Sequence, residues 1–331
     1  MTKAAAKERI EKLKGLINKY RYEYHVLNKL SITEEALDSL KRELKKLEHE
    51  FPELVTPDSS TQRVAGKALK EFKKIKHKFP MLSLEDVFSE EEFLEWAARL
   101  ERIIKDSSKE GFYAEPKFDG LALSIVYESG VLSHAATRGD GQVGEDVTQN
   151  VRTIESVPLR IESRHRDRFA EIAREERIEV RGEVIITKKN FDLVNRGQKE
   201  KGLQTYANPR NLAAGSIRQL DPGITTSRRL DFFAYDLLSS LDDDLHSAKH
   251  EALRALGFKT GADLERTCRS KEEVFLHHRR IASVREKMPY HIDGLVVAIN
   301  SGKLFKKLGV VGKAPRGSIA FKFSPQEVTT R

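Results

Sequence analysis

The sequence predicts an α+β protein in which a small all-helical unit precedes a larger body of antiparallel sheets flanked by helices. Apolar residues recur at alternating steps of three and four through the first fifty positions, the period of a helix with one buried face. The period changes to two over residues 121–127 and 131–137, on either side of a Glu-Ser-Gly turn, which reads as an antiparallel hairpin. A chain of 331 residues also exceeds what one ordinary core holds, so two domains are expected.

Taken in order, Ile10, Leu13, Ile17, Tyr20, Tyr24 and Leu27 mark a first helix. Ser31-Ile32-Thr33-Glu34 has capping-box form and opens a second, with Leu37, Leu40, Leu44, Leu47 and Phe51 on its apolar face. Pro52, Pro57 and Asp58-Ser59-Ser60-Thr61 close the pair, so residues 1–65 read as a helical hairpin with a linker and 66–331 as the second domain. Residues 81–85 form a short extended segment. Ser89-x-x-Glu92 then caps a helix that turns Phe93, Trp96, Leu100 and Ile103 inward. A helix is expected at 145–152, and the mixed-charge run 164–177 reads as a solvated face or insertion. Strand 178–187 puts Arg181 and Glu183 on one face, since both are odd-numbered. A helix follows at 188–201, then another from 206 with Pro209 in its first turn, which puts Arg210 and Arg218 on a shared face. Strands at 230–238, 292–300 and 317–323 and helices at 247–256 and 270–288 complete the chain.

Composition narrows the classes. A net charge of +8 favours an anionic partner, nucleic acid first. The single Cys268 excludes an internal disulfide and a four-cysteine zinc site, and so points to a reducing compartment. With no apolar run near 18 residues and no signal-peptide core, a cytoplasmic protein without membrane association is expected.

The chemistry centres on Glu115-Pro116-Lys117-Phe118-Asp119-Gly120. A lysine attacks only as the neutral amine, so a nucleophilic lysine needs cationic neighbours or partial desolvation to disfavour the ammonium. The bland alternative, a surface lysine before an Asp-Gly turn, fits the short pattern alone. Since the following residues start a strand, Lys117 is expected to enter that sheet beside Arg138. Gly139-x-Gly141-x-x-Gly144, with Glu162 beyond it, fits a dinucleotide fingerprint and raises a Rossmann-type NAD dehydrogenase as a rival. The preceding strand is already the second arm of a hairpin, however, whereas that fingerprint follows the first strand of a parallel βαβ unit. The glycines fit better as a loop that lets backbone approach a ligand.

Further motifs follow in order: Thr137-Arg138-Gly139-Asp140-Gly141, Arg181-Gly182-Glu183, Asn208-Pro209-Arg210-Asn211, Ile292-Asp293-Gly294 and Ala320-Phe321-Lys322-Phe323. Together with Glu115 to Gly120, this series resembles the bacterial NAD-dependent DNA ligases from about residue 10 to the last residue. The resemblance implies a nucleotidyltransferase (ATP-grasp-like) domain of two antiparallel sheets with a nucleotide cleft between them. It implies that Lys117 takes AMP from NAD, with magnesium as cofactor and nicked double-stranded DNA as partner, in a monomer. Asp119 and Asp293 would orient the lysine or a magnesium ion, and no residue is assigned as a dedicated metal ligand. Glu115 would recognise adenine beside Ser83 and Leu84; Arg138 and Glu183 would hold ribose and phosphate; Lys322 would neutralise phosphate charge. Arg285 matches a further family arginine. Arg210 and Arg218 would contact phosphate, and Tyr24, His25, Glu34 and Asp38 the nicotinamide mononucleotide half of NAD. The family continues past this chain's last residue into an oligonucleotide-binding barrel, a zinc module and helix-hairpin-helix repeats.

Two positions depart from the pattern: Leu37 stands where the family has tyrosine, and Ala298 where it has lysine. They support a second reading, a basic nucleic-acid-binding module with a decayed ligase site. Period two would put Asp293, Leu295 and Val297 on one face of their strand and Gly294, Val296 and Ala298 on the other.

Overall fold

The three-and-four spacing forms the expected helical hairpin. In the computed structural model, α1 (Lys3–His25) and α2 (Glu34–Glu50) pack through Ile10, Leu13, Ile17, Leu44 and Leu47. The structure describes all residues except 28, 30, 65–69, 162–168, 170, 241–244 and 324–331, together with the side chains of Glu34 and Val64. The expected domain boundary at 65/66, Glu162 and much of the mixed-charge run therefore lie outside the described residues. The cap of α2 is Thr33 and not Ser31: the Thr33 hydroxyl accepts from the Ala36 amide, one of the donors that a helix start leaves unpaired. Leu37 packs against the hairpin core.

The strip that follows is held to the rest of the chain by buried polar groups. Arg63 is buried and donates to the carbonyls of Arg152, Ile154 and Val157, each at 2.9 Å. Asp58, also buried, accepts from Thr56 at 2.5 Å and Arg160 at 2.6 Å and pairs with Lys14 at 3.1 Å. Burial alone would raise its carboxyl; these partners more than offset that and hold it at about 2.

Further along come β1 (Lys74–Lys76), β2 (Asp86–Val87), α3 (Glu90–Ile103), β3 (Phe112–Phe118), β4 (Leu121–Glu128), β5 (Val131–Thr137), β6 (Val143–Glu145) and α4 (Thr148–Arg152). They are followed by β7 (Arg177–Ile185), α5 (Lys188–Glu200), α6 (Pro209–Ile217), α7 (Pro222–Ser227), β8 (Asp231–Leu238), α8 (His246–Ala255), β9 (Arg266–Cys268) and α9 (Lys271–Val284). Last come β10 (Ile292–Ile299), α10 (Gly302–Leu308), β11 (Val310–Val311), β12 (Ala314–Pro315) and β13 (Ser318–Lys322). One large sheet has the order β5-β4-β7-β8 and is wholly antiparallel; the other has the order β2-β13-β10-β3-β9. The second is mixed and not purely antiparallel, because the edge strand β2 runs parallel to β13.

Each sheet packs one apolar face into a core of its own. Leu123, Ile125, Val180, Val184, Phe232 and Leu237 belong to one core, and Phe112, Phe118, Leu295, Val297, Ile319 and Phe321 to the other, beneath α3 and α9. Residues 81–85 tie two turns together: the Met81 amide donates to the Gly141 carbonyl, after β5, and the Ser83 amide to the Lys313 carbonyl, between β11 and β12. Ile103, expected inward, is half exposed because α3 ends there. The helix expected at 145–152 is confined to α4, since residues 143–145 pair with β1 as a strand. Among the described residues, no helix is long and apolar enough to cross a membrane.

Candidate active site

Alternation along β3 sends Phe112, Ala114 and Phe118 into the core and leaves Tyr113, Glu115 and Lys117 on the cleft face. Lys117 does not begin the strand that follows it. It lies near the end of β3, and the chain then crosses at Asp119-Gly120 into the other sheet, where Leu121 starts β4. The expectation that Lys117 and Arg138 share a sheet is therefore corrected: a crossover separates them, and both sheets contribute to one cleft. Glycine at 120 is required by crowding, because a Cβ there would meet the Val184 carbonyl at 2.1 Å.

Asp293 reaches Lys117 through a bulge. The ladder pairs Ile292 with Phe118 and Gly294 with Lys117, so Asp293 is an extra residue between them. Strict alternation would have turned it away from the cleft. Instead its carboxylate lies 3.3 and 3.4 Å from the Lys117 ammonium and accepts from Lys322 at 2.6 Å. Gly294 allows this meeting, since a Cβ would meet the Phe321 carbonyl at 2.3 Å. Burial works against the charge of Lys322, but Asp293 and Asp86 more than offset it and push its pKa up. Ala298, on the same face, is buried between Tyr113 and Ser318 on neighbouring strands.

The other sheet and α6 supply the facing groups. Arg210 pairs with Asp119 at 3.2 Å. Glu183, on β7, is pushed up to about 8 by burial, against the opposing pull of Lys117, Arg210 and Arg138. Lys117, Asp119, Arg138, Glu183, Arg210, Asp293 and Lys322 are thus gathered from distant parts of the sequence. The four cations of this set outnumber its three carboxylates, and such a pocket favours a phosphate group.

The remaining candidates lie elsewhere. α6 ends at Ile217, so Arg218 is its C-cap and forks onto Glu145 at 2.6 and 3.1 Å. Arg285 stacks over the Phe323 ring at 5.1 Å. Ser83 bonds the Lys313 carbonyl, and Leu84 lies on the same connecting segment. Tyr24 and His25 close α1 with their rings edge to face at 4.8 Å; burial pushes His25 down to about 4. Asp38 is exposed on α2, and the Glu34 side chain is outside the described residues. Glu115 is buried and engages His246 and His250 of α8, which the sequence reading missed. Their spacing, one helical turn apart, was the available signal. Asp86, 3.8 Å from Lys322, was missed as well, with no motif to mark it.

The family described as NAD-dependent DNA ligase adenylation domain matches residues 69–326, and the DNA ligase-like N-terminal NAD+-binding domain matches residues 3–65. A DNA ligase of Bacillus licheniformis is 43% identical over 332 residues, covering 100% of this chain and 48% of that protein. A DNA ligase of Thermomicrobium roseum is 44% identical over 325 residues, covering 97% and 46%. The chain spans about half the length of the curated relatives it matches. From these matches, the chain belongs to the NAD-dependent DNA ligase family, in the part that comprises the NAD+-binding and adenylation domains.

Proposed function

We propose that this chain takes AMP from NAD onto Lys117 and passes it toward the 5′-phosphate of a nicked DNA duplex. The observation that carries this reading is that Lys322 joins Lys117 on Asp293 while Lys117, Arg138 and Arg210 converge on Glu183. In the proposed step, the Lys117 Nζ forms a bond to the phosphorus of the AMP half. The bond from that phosphorus to the bridging oxygen breaks, and nicotinamide mononucleotide leaves with its own phosphate. The ammonium proton must depart first, and Asp293 is the nearest carboxylate to take or relay it.

Lys322 competes for Asp293 and so loosens its hold on the Lys117 ammonium, while Lys322, Arg138 and Arg210 favour charge on the phosphate as it develops. Asp119, held by Arg210, and Glu183 border the nucleophile. Glu115 is assigned to the base, with Ser83 and Leu84; Tyr24, His25, Glu34 and Asp38 to the nicotinamide half; Arg285 and Arg218 to phosphates further out. The buried Oδ1 of Asp293, ion-paired with Lys117 at 3.3 Å but without an aligned hydrogen bond, offers with Asp119 the hard oxygen donors that suit magnesium. When bound, that ion would neutralise phosphate charge. The net charge of +8 supports nucleic acid as the final acceptor.

Intact mass after incubation with NAD and magnesium is the test. One added AMP, mapped to Lys117 and lost in Lys117→Ala, is expected. An adduct on Lys322 or Lys313 overturns the assignment, and no adduct under any condition would favour the nucleic-acid-binding module.

A further inference from the structure

Two imidazoles of α8 converge on Glu115. The fully buried His250 places Nε2 3.3 Å from Glu115 Oε2, and His246 places Nε2 3.8 Å from Oε1. Four residues apart on a helix, the two rings leave by the same side. Yet neither Nε2 has a hydrogen-bond partner, so the short approaches do not align a donor with an acceptor. With one carboxylate oxygen of Glu115, the ligand nitrogens of the two histidines form a set whose atoms all lie within 4.8 Å of one another.

The outer contacts fix the chemistry of His250. Its Nδ1 lies 3.0 Å from Glu265, a carboxylate that also accepts from Tyr113 at 2.8 Å and Arg254 at 2.6 Å. A carboxylate so engaged is an acceptor, so the proton of His250 belongs on Nδ1 and the Nε2 lone pair faces Glu115. A carboxylate behind a histidine that presents its other nitrogen inward is the arrangement that orients metal-binding imidazoles.

We infer that Glu115, His246 and His250 form a binding site for a d-block divalent cation of the zinc class, with Glu265 orienting His250. Tetrahedral bonds of about 2.0–2.1 Å place ligand atoms about 3.4 Å apart. The carboxylate–imidazole separations here are 3.3 and 3.8 Å, and the three donor atoms all lie within 4.8 Å of one another. Closing the set from that 4.8 Å bound to tetrahedral spacing takes a relative shift of the donor atoms of about an ångström. Two imidazoles and one carboxylate suit zinc, cobalt or nickel, whereas magnesium prefers an all-oxygen shell. Three protein ligands leave a position open for water or an exchangeable ligand. The site lies on the cleft face of β3, two residues from Lys117; it shares no residue with the Asp119 and Asp293 pair proposed for magnesium, but it shares Glu115 with the proposed base subsite, so the cation and the base would compete for that carboxylate.

The test uses the full chain, stripped with chelator and titrated with cobalt, whose visible absorption reports coordination, then with zinc in competition. One equivalent bound in a four-coordinate spectrum, displaced by zinc but not by excess magnesium, is expected. The double variant His246→Gln/His250→Gln should weaken cobalt binding by at least about 100-fold, and Glu265→Gln by about 10- to 100-fold. Circular dichroism identifies any variant that fails to fold; Glu265→Gln, which touches no metal ligand atom of its own, then serves as the deciding variant. No cobalt binding by the full chain overturns the inference, as does affinity unchanged in the variants, which would place the metal on other histidines. Because no nucleotide is involved, failure here and failure of the adenylation reading are read separately.

Discussion

Lys322→Met should slow the transfer of AMP to Lys117 by relieving Asp293 of its second cation. Lys322 donates to Asp293 at 2.6 Å, while Lys117 lies at 3.3 Å from the same carboxylate. Hydrogen bonds to charged groups contribute about 1.5–3 kcal/mol. If that much attraction shifts to the Lys117 ammonium, the single-turnover rate falls by about 10- to 150-fold. Rapid quenching with NAD labelled in its adenylate half, following label bound to protein, isolates this step from release of nicotinamide mononucleotide. The sign of the pH effect is the sharper readout: the deficit arises from a proton held too firmly on the nucleophile, so it should narrow as pH rises. Lys322→Arg, which keeps the cation, should recover most of the rate. An equal deficit at every pH would show that Lys322 acts on the phosphate alone and would refute the competition for Asp293.

Ala298→Lys introduces a long cationic side chain into a buried position between Tyr113 and Ser318, and overpacking there should cost about 1–3 kcal/mol in urea unfolding; an unchanged midpoint would mean that the cleft face has room. Asp58→Asn should cost about 2 kcal/mol near pH 6, because the folded carboxyl is held at about 2, below its ordinary value of 3.8. That contribution is present above the unfolded value and is lost as pH falls through the folded one, so wild type and variant should converge toward pH 2; a constant gap would assign the cost to packing. Arg63→Met should destabilise by about 3 kcal/mol, since it leaves buried carbonyls of residues 152, 154 and 157 without their donor; stability within about 0.5 kcal/mol of wild type would show that water replaces it.

What the sequence determined by itself is local or ordered along the chain. The helical hairpin was legible because Ile10, Leu13 and Ile17 and then Leu44 and Leu47 keep helical spacing, and the β4-β5 hairpin because its period and its turn agree. The motif order was legible too, and with it the candidate site residues. The tertiary structure alone decided how those residues meet. Lys117 and Leu121 are four positions apart yet belong to different sheets, and a crossover at Asp119-Gly120 leaves no periodic signal. Asp293 faces Lys117 because an extra residue breaks the alternation, and a bulge is set by the partner strand rather than by its own sequence. Arg218 misses the face of Arg210 because α6 ends one residue before it. His246 and His250 meet Glu115 from more than a hundred residues away. Spacing along a helix states which way two side chains point relative to each other, but only packing of that helix against β3 brings a buried carboxylate within reach of both.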